Sequence, residues 1–280
     1  MKNKFSIKYI KKTIIYLFIG LLAIGWIYPF IWMISSSFKT QKEFFNSKLD
    51  LIPNQLSLDN FIRAWESANF SVYFKNSIII TISVVLIVLF ITSLSGYVLS
   101  RYNFNGKKVV TIILLISSVI PSNLIIIPVY ELLKQMNLSE SLFGLILAEV
   151  GGGHVVFIML FYGFFSSIPY EIEEAAILDG CNFRMMFTKI MLPLSKPVIA
   201  TVVIMQGIWT WNSFLLPLIV TLNNPNIRTL SVGLYALRGE NIVDWTGITA
   251  GACISVMPII IVFIILQKYF INGIVGAVKS

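Results

Sequence analysis

The 280-residue chain is 57% hydrophobic and only 12% charged, with a formal net charge of +8 and a mean hydropathy of +0.84. Soluble domains carry about 25% charged residues, so this chain has too few polar side chains to coat a globule and too many apolar ones to stay disordered. An ordinary soluble protein is excluded, and the chain reads as an all-α integral membrane protein.

Residues 14–34 form the first apolar run, after a basic start of Lys2, Lys4, Lys8, Lys11 and Lys12. The run exceeds the roughly 7–15 apolar residues of a signal peptide and reads as a retained anchor. Further runs cover 77–99, 109–132, 145–166, 198–222 and 248–266, each long enough to cross about 30 Å of hydrocarbon as a helix. This gives a tail (1–12), a six-helix membrane domain (13–272) and a second tail (273–280). Six crossings put both termini on one side. The segments on that side hold 13 Lys and Arg against 8 on the other, and its N-terminal tail and 101–108 loop contain no acidic residue. Positive charge marks the inner face, so both termini are expected in the cytoplasm of a bacterial cell. The longest outer segment, 39–75, carries turn residues Pro53, Asn54, Asp59 and Asn60, with Phe61, Trp65 and Phe70 as interface anchors.

The basic residues lie between apolar runs instead of lining one soluble face, so nucleic acid is not an expected partner. Cys181 and Cys253 lack metal-ligand spacing and His154 is the single histidine, which argues against a zinc site or a disulfide framework.

The loop 169–193, between the fourth and fifth runs, reads as two short helices around a glycine. Glu171, Glu173 and Glu174 fall in the first turn of the first helix, where carboxylates meet the positive end of the helix dipole. Gly180 supplies the positive φ that ends a helix at little cost. In the second helix Phe183, Met186, Phe187, Ile190 and Met191 recur at helical spacing and form an apolar stripe outside the membrane. Three partners satisfy such a stripe: lipid headgroups, the protein's own helices, or a groove on a soluble protein.

Glu174-Ala175-Ala176, Asp179-Gly180, Ile190 and Leu192-Pro193 resemble the EAA motif of the permease subunits of binding-protein-dependent ABC importers. Cys181 departs from it, standing where a small residue such as alanine is usual; cysteine is nearly as small. The stretches 211–217, 229–234 and 267–279 are similar to the carbohydrate branch of that family, in particular its maltose-type second permease subunit, and the likeness covers essentially the whole chain. The resemblance implies a heterodimer with a second, homologous permease subunit, two cytoplasmic ATPase subunits that use ATP and Mg, and an extracytoplasmic solute-binding protein. It implies no cofactor in this chain. It also makes the loop a coupling helix seated in a cleft of the ATPase subunit, with Glu174, Ala175, Ala176, Asp179 and Gly180 making the contact. Phe183, Met186, Phe187, Ile190, Leu192 and Pro193 would add the apolar anchor and the tie to the membrane helix.

Inside the membrane runs, Pro121 and Pro128 are expected to kink the third, where Ser117, Ser118, Ser122 and Asn123 offer hydrogen bonds without charge. That chemistry suits a sugar, and helix–helix hydrogen bonding accounts for it equally well. Gly151, Gly152 and Gly153 serve either close packing or an open backbone. Trp209, Trp211 and Asn212 supply either a platform for a sugar ring or packing. The substrate-pathway candidates are therefore Ser122, Asn123, Gly152, Trp209, Trp211 and Asn212. Glu149 and His154 are the ionisable pair near the fourth run, with Glu149 expected at the interface. A proton-coupled secondary transporter would need such residues in several runs, and an intramembrane enzyme would need a metal or nucleophile motif; neither pattern occurs. The chain also lacks a phosphate-binding G-x-x-x-x-G-K-[ST] loop, so ATP hydrolysis belongs to another subunit.

Overall fold

The computed structural model describes residues 2–46, 50–67, 69–152, 154–237 and 243–278. Among them every regular element is helical: α1 (Lys2–Ser37), α2 (Gln41–Asn46), α3 (Asp59–Ser67), α4 (Phe70–Arg101), α5 (Lys107–Ser117), α6 (Ile126–Gln135), α7 (Leu142–Val150), α8 (Val155–Ser167) and α9 (Tyr170–Leu178), then α10 (Phe183–Leu194), α11 (Lys196–Asn212), α12 (Leu215–Val220), α13 (Leu230–Ala236) and α14 (Trp245–Val278). Three helices among the described residues are long and apolar enough to cross a bilayer alone: Lys11–Ser37 in α1, all of α4, and Trp245–Lys268 in α14. Most apolar side chains of α1 between 14 and 34 are exposed, as a lipid-facing helix requires.

The six runs are not recovered as six continuous helices. The third breaks after Ser117, where Pro121 takes an extended conformation (φ −63°, ψ 126°) and a 3₁₀ turn, Ser122–Ile125, leads into α6. Proline offers no N–H and disfavours helix in the residue before it, so the expected kink becomes a full break. Pro128 falls in the first turn of α6, where no intrahelical donor is lost. The fourth run is two helices, α7 and α8, inclined by 55°. The fifth ends at Asn212, and the chain resumes as α12.

The chain clusters into two compact units. The first comprises Met1–Phe70 and Leu234–Val256. Its polar centre is Arg63, whose Nε donates to Asp244 Oδ2 at 2.7 Å and whose Nη2 donates to Asn60 Oδ1 (2.8 Å) and Thr246 Oγ1 (3.0 Å). Asn60 Nδ2 in turn donates to the carbonyls of Ser37 and Lys39, so one network fixes the end of α1, the start of α3 and the start of α14. Asp244 caps α14 by accepting from the Gly247 N–H at 2.9 Å.

The second unit comprises Ser71–Gly233 and Met257–Ser280. Its core joins Ile80, Val84 and Val88 of α4 to Phe157, Phe161 and Phe165 of α8, with Leu145 of α7 and Met191 of α10. The α4–α8 contact is close because Gly96 has no side chain: a Cβ there would lie 2.5 Å from Phe161 Cβ and 2.9 Å from the Ile158 carbonyl oxygen. Van der Waals packing at that distance requires glycine.

Candidate functional site

Two features of the second unit bear on function, the loop around α9 and α10 and a cavity between α5–α8 and α11–α12. Pro169, with no N–H to leave orphaned, precedes α9. At the other end, the Cys181 N–H donates to the Ala176 carbonyl and the Gly180 N–H to the Ile177 carbonyl, both at 2.9 Å, with Gly180 at φ +82°. This is a Schellman cap, and it satisfies the last carbonyls of α9. Asn182 then caps α10 by accepting from the Met185 N–H at 2.9 Å. Within α10 the turn Met186–Met191 is a π-helix. The wider turn accommodates Pro193, which has no N–H to return and a ring that crowds the carbonyl four residues earlier. A 77° bend separates α10 from α11.

The stripe of α10 faces inward. Met186, Phe187 and Met191 are buried in the protein's own core, with Ile190 and Leu192 half-buried against it. Tyr97 of α4 meets Phe187, Phe183 and Phe165 at ring-centroid distances of 5.5, 5.7 and 5.6 Å. Of the three partners the spacing allowed, the protein's own helices are the one observed. Met186 and Phe187, expected in the apolar anchor, are only 3% and 5% exposed and spend their surface on the protein's own core. Ala176 is also turned inward. The exposed members of the motif are Glu174, Ala175, Asp179, Gly180 and Pro193, with Phe183 at 46%.

Two exposed apolar residues escaped the sequence reading: Ile177 and Leu178, at 62% and 89%. Their signal was the position of Ala176, one and two residues before them, on the face that packs inward.

Arg101, the last residue of α4, was also missed. Its side chain is 1% exposed; Nε lies 2.7 Å from Glu173 Oε1, Nη2 donates to the Ile168 carbonyl, and the guanidinium stands 4.4 Å from the Tyr170 ring centroid. One cation thus grips the entry, first turn and aromatic face of α9. Burial holds the Glu173 carboxyl above the usual carboxylate range, and the attraction of Arg101 only partly offsets it.

The cavity has a volume of about 490 Å³. It gathers three of the six pathway candidates, Asn123, Gly152 and Trp209, together with Glu149, His154 and Gln206. Trp209 stacks on buried Phe157 at 5.1 Å and 25°, yet remains 48% exposed. Gln206 is 2% exposed; its Nε2 donates to Thr210 Oγ1 at 2.9 Å while its Oε1 is buried with no partner. Glu149 Oε1 and His154 Nε2 are likewise buried without a partner, and both residues belong to the cavity wall. The side chain of Ser122 lies outside the described residues.

The other two candidates are elsewhere. Trp211 is buried, meets Phe74 edge-on at 5.8 Å and lines an apolar crevice with Ile78, Ile204 and Pro258. Asn212 spends its amide on the Ile208 carbonyl at 2.9 Å. Residues two apart on a helix lie about 200° apart around its axis, so Trp209 and Trp211 cannot share a site. Among the described residues, no group of three or more His, Cys, Asp or Glu could hold a metal ion.

A multi-pass helical protein with an exposed loop held to its membrane core and a polar cavity among broken helices has the build of a transport component. The chain belongs to the family described as binding-protein-dependent transport system inner membrane component, whose model matches residues 89–275. It is 36% identical to a probable ABC transporter permease of Bacillus subtilis, YurM, over 97% of this chain and 90% of that one. It is 35% identical to the arabinooligosaccharides transport system permease AraQ of Halalkalibacterium halodurans, over 96% and 95%. A probable permease for starch degradation products, AmyC of Thermoanaerobacterium thermosulfurigenes, is 33% identical over 94% and 96%. The fold matches a crystal structure of a bacterial ABC transporter involved in the import of the acidic polysaccharide alginate, with a TM-score of 0.81, 24% identity, and 94% and 97% of the two chains covered.

Proposed function

We propose that this chain is the membrane-spanning permease subunit of an ATP-driven importer that moves a sugar or oligosaccharide delivered by an extracytoplasmic binding protein. It works as a heterodimer with a homologous permease in the bacterial cell membrane, with both termini in the cytoplasm. Two ATPase subunits bind ATP and Mg and supply the energy; the chain itself is not an enzyme and carries no cofactor. The permease names of the relatives support the sugar class.

The observation that carries the coupling role is the contrast between the two helices of the loop. α10 is fastened to the core, whereas α9 presents Glu174, Ala175, Ile177, Leu178 and Asp179 outward while Arg101 holds its other side. A short helix with an exposed apolar end seats in a groove of a soluble partner, and a buried clamp passes the partner's movement to α4 as rigid-body motion. In this arrangement Leu178 is the anchor and the α10 stripe is the mounting.

The test is Leu178→Glu in the chain co-expressed with its partners. The variant inserts normally in the membrane, and the ATPase subunits no longer co-purify with it. Full retention of the ATPase, with normal uptake, overturns the coupling role.

A further inference from the structure

We infer that the apolar crevice between α4, α11 and α14 is a binding site for an acyl chain of a membrane phospholipid. The inference goes beyond the import reading and does not depend on it, since it needs only that these helices lie in a bilayer.

The crevice has a volume of about 180 Å³. Ile204 and Trp211 at its floor are 3% and 7% exposed, whereas Ile82 of α4 and Phe263 of α14 at its lips are 55% and 42% exposed. Residues 204, 207, 208 and 211 recur at i, i+3, i+4 and i+7 and so share one face of α11. On that face Gly207 is the gap: a Cβ there would meet nothing within 4 Å. Across from it Pro258 lies inside α14, where it gives no N–H to the helical ladder.

Three observations decide what fills the space. All of α4 and the stretch Trp245–Lys268 of α14 are long and apolar enough to cross a membrane, so the crevice opens toward hydrocarbon. No charged residue lines it, and its one hydroxyl, that of Thr81, has its oxygen buried, which leaves a polar headgroup nothing to bind. From Ile204 to Trp211 the helix rises about 10 Å against about 30 Å of hydrocarbon, so the space takes a length of chain within one leaflet.

A helix of a second subunit fits poorly. Such a helix is about 10–12 Å across and packs through small residues that let backbones approach. Gly96 marks a contact of that kind in this chain, where an added Cβ would lie 2.5 Å from Phe161 Cβ. Gly207 has no such neighbour, and the bulky Ile78, Ile82 and Phe263 edge the crevice. A flexible chain threads between them.

Lipid tails are as apolar as leucine, so entry from the bilayer gains no hydrophobic free energy. Occupancy rests on the dispersion contacts that an empty slot forfeits. The bound chain lies against the back of α11, whose opposite face carries Trp209 into the polar cavity.

The test is photolabelling of the permease, assembled with its partner subunits in proteoliposomes, by phosphatidylethanolamine that carries a diazirine partway along one acyl chain. Mass spectrometry of the labelled peptides compares the crevice, read at Ile208 and Ile259, with the exposed flank of α4, read at Leu86 and Phe90. The crevice is labelled about tenfold above the flank, the equivalent of about 1.4 kcal/mol. Gly207→Leu fills the gap and brings crevice labelling down to the level of the flank, while Gly163→Leu, at a glycine in open space on α8, changes neither. If Gly207→Leu prevents assembly of the complex, Ile82→Trp, at the exposed lip, narrows the mouth from outside and reports the same loss. Crevice labelling no higher than that of the flank, which is the result for ordinary surrounding lipid, overturns the site. So does labelling that both variants leave unchanged, or an absence of label from the crevice, the result if the partner permease covers it.

Discussion

Arg101 and Glu173 lie 72 residues apart in sequence and 2.7 Å apart in space, and their side chains are 1% and 12% exposed. The pair joins the end of α4 to the first turn of α9, and its two halves are unequal. Removing Arg101 strands a buried carboxylate and frees the Ile168 carbonyl and the Tyr170 ring together. Arg101→Leu is expected to cost about 3 kcal/mol, the range for breaking one side of a buried pair. Glu173→Gln costs less, about 1–3 kcal/mol, because the amide keeps a hydrogen-bond acceptor beside the guanidinium while the buried Arg101 loses its counter-charge. Thermal unfolding of the two variants in detergent checks the order; equal losses would refute it.

The same asymmetry has a pH signature. A carboxyl whose pKa is raised in the folded state contributes stability that is full below the unfolded value and declines as pH rises through the folded one. Glu173→Gln removes that decline, so its stability profile above about pH 4.5 is flatter than that of the wild type. Unfolding midpoints measured from pH 4 to 7 read the difference.

Asp244 carries the opposite sign. Burial works to raise its pKa, but the hydrogen bond from Arg63, the Gly247 N–H and the Thr246 hydroxyl outweigh burial and hold it below the usual carboxylate range. Its stabilisation is present above the unfolded value and lost as pH falls through the folded one, below about pH 4. With Arg63 43% exposed, the effect is modest, about 1 kcal/mol. Asp244→Asn shows the loss at neutral pH and no further loss on acidification.

Gly180 and Gly96 fail differently when substituted. At Gly180, φ is +82° and nothing lies within 4 Å of an added Cβ, so Gly180→Ala costs only conformational strain, about 1–2 kcal/mol. Gly180→Asn recovers part of it. At Gly96 the backbone is ordinary, but the added carbon meets Phe161 and the Ile158 carbonyl. Gly96→Ala pushes α4 from α8 at a cost of about 1–3 kcal/mol, and Gly96→Val costs more. Chemical-denaturation midpoints, with an unaltered Gly163→Ala control in open space, distinguish crowding from lost flexibility.

Run length told truly where a helix meets no interruption, as in α1, α4 and α14. It misled for the third, fourth and fifth runs, because hydropathy counts apolar residues and takes no account of whether the backbone can continue. Pro121 ends a helix whatever the apolarity of Ile120 and Leu124. Gly180 was legible, since a glycine between two short helices has one common use. The π turn was not, because Pro193 acts on carbonyls upstream of itself. The periodic stripe of α10 was correctly seen and its partner was open; only the packing of Tyr97, Phe165 and Phe187 decides it. Arg101 and Glu173 have no local signature at all. Trp209 and Trp211 looked like one feature on paper, and helical geometry divides them between a polar cavity and an apolar crevice.

The first long helix is held near one end, where Ser35, Ser36 and Ser37 are buried, while most of its apolar side chains from 14 to 34 are exposed. Its apolar run, 14–34, is about 31 Å long, a close match to about 30 Å of hydrocarbon. In a thinner bilayer the helix leans, and in a thicker one the surrounding lipid thins to meet it. Acyl-chain length thus becomes an environmental input to this subunit, and the thickness of the host membrane helps set the posture of its leading segment.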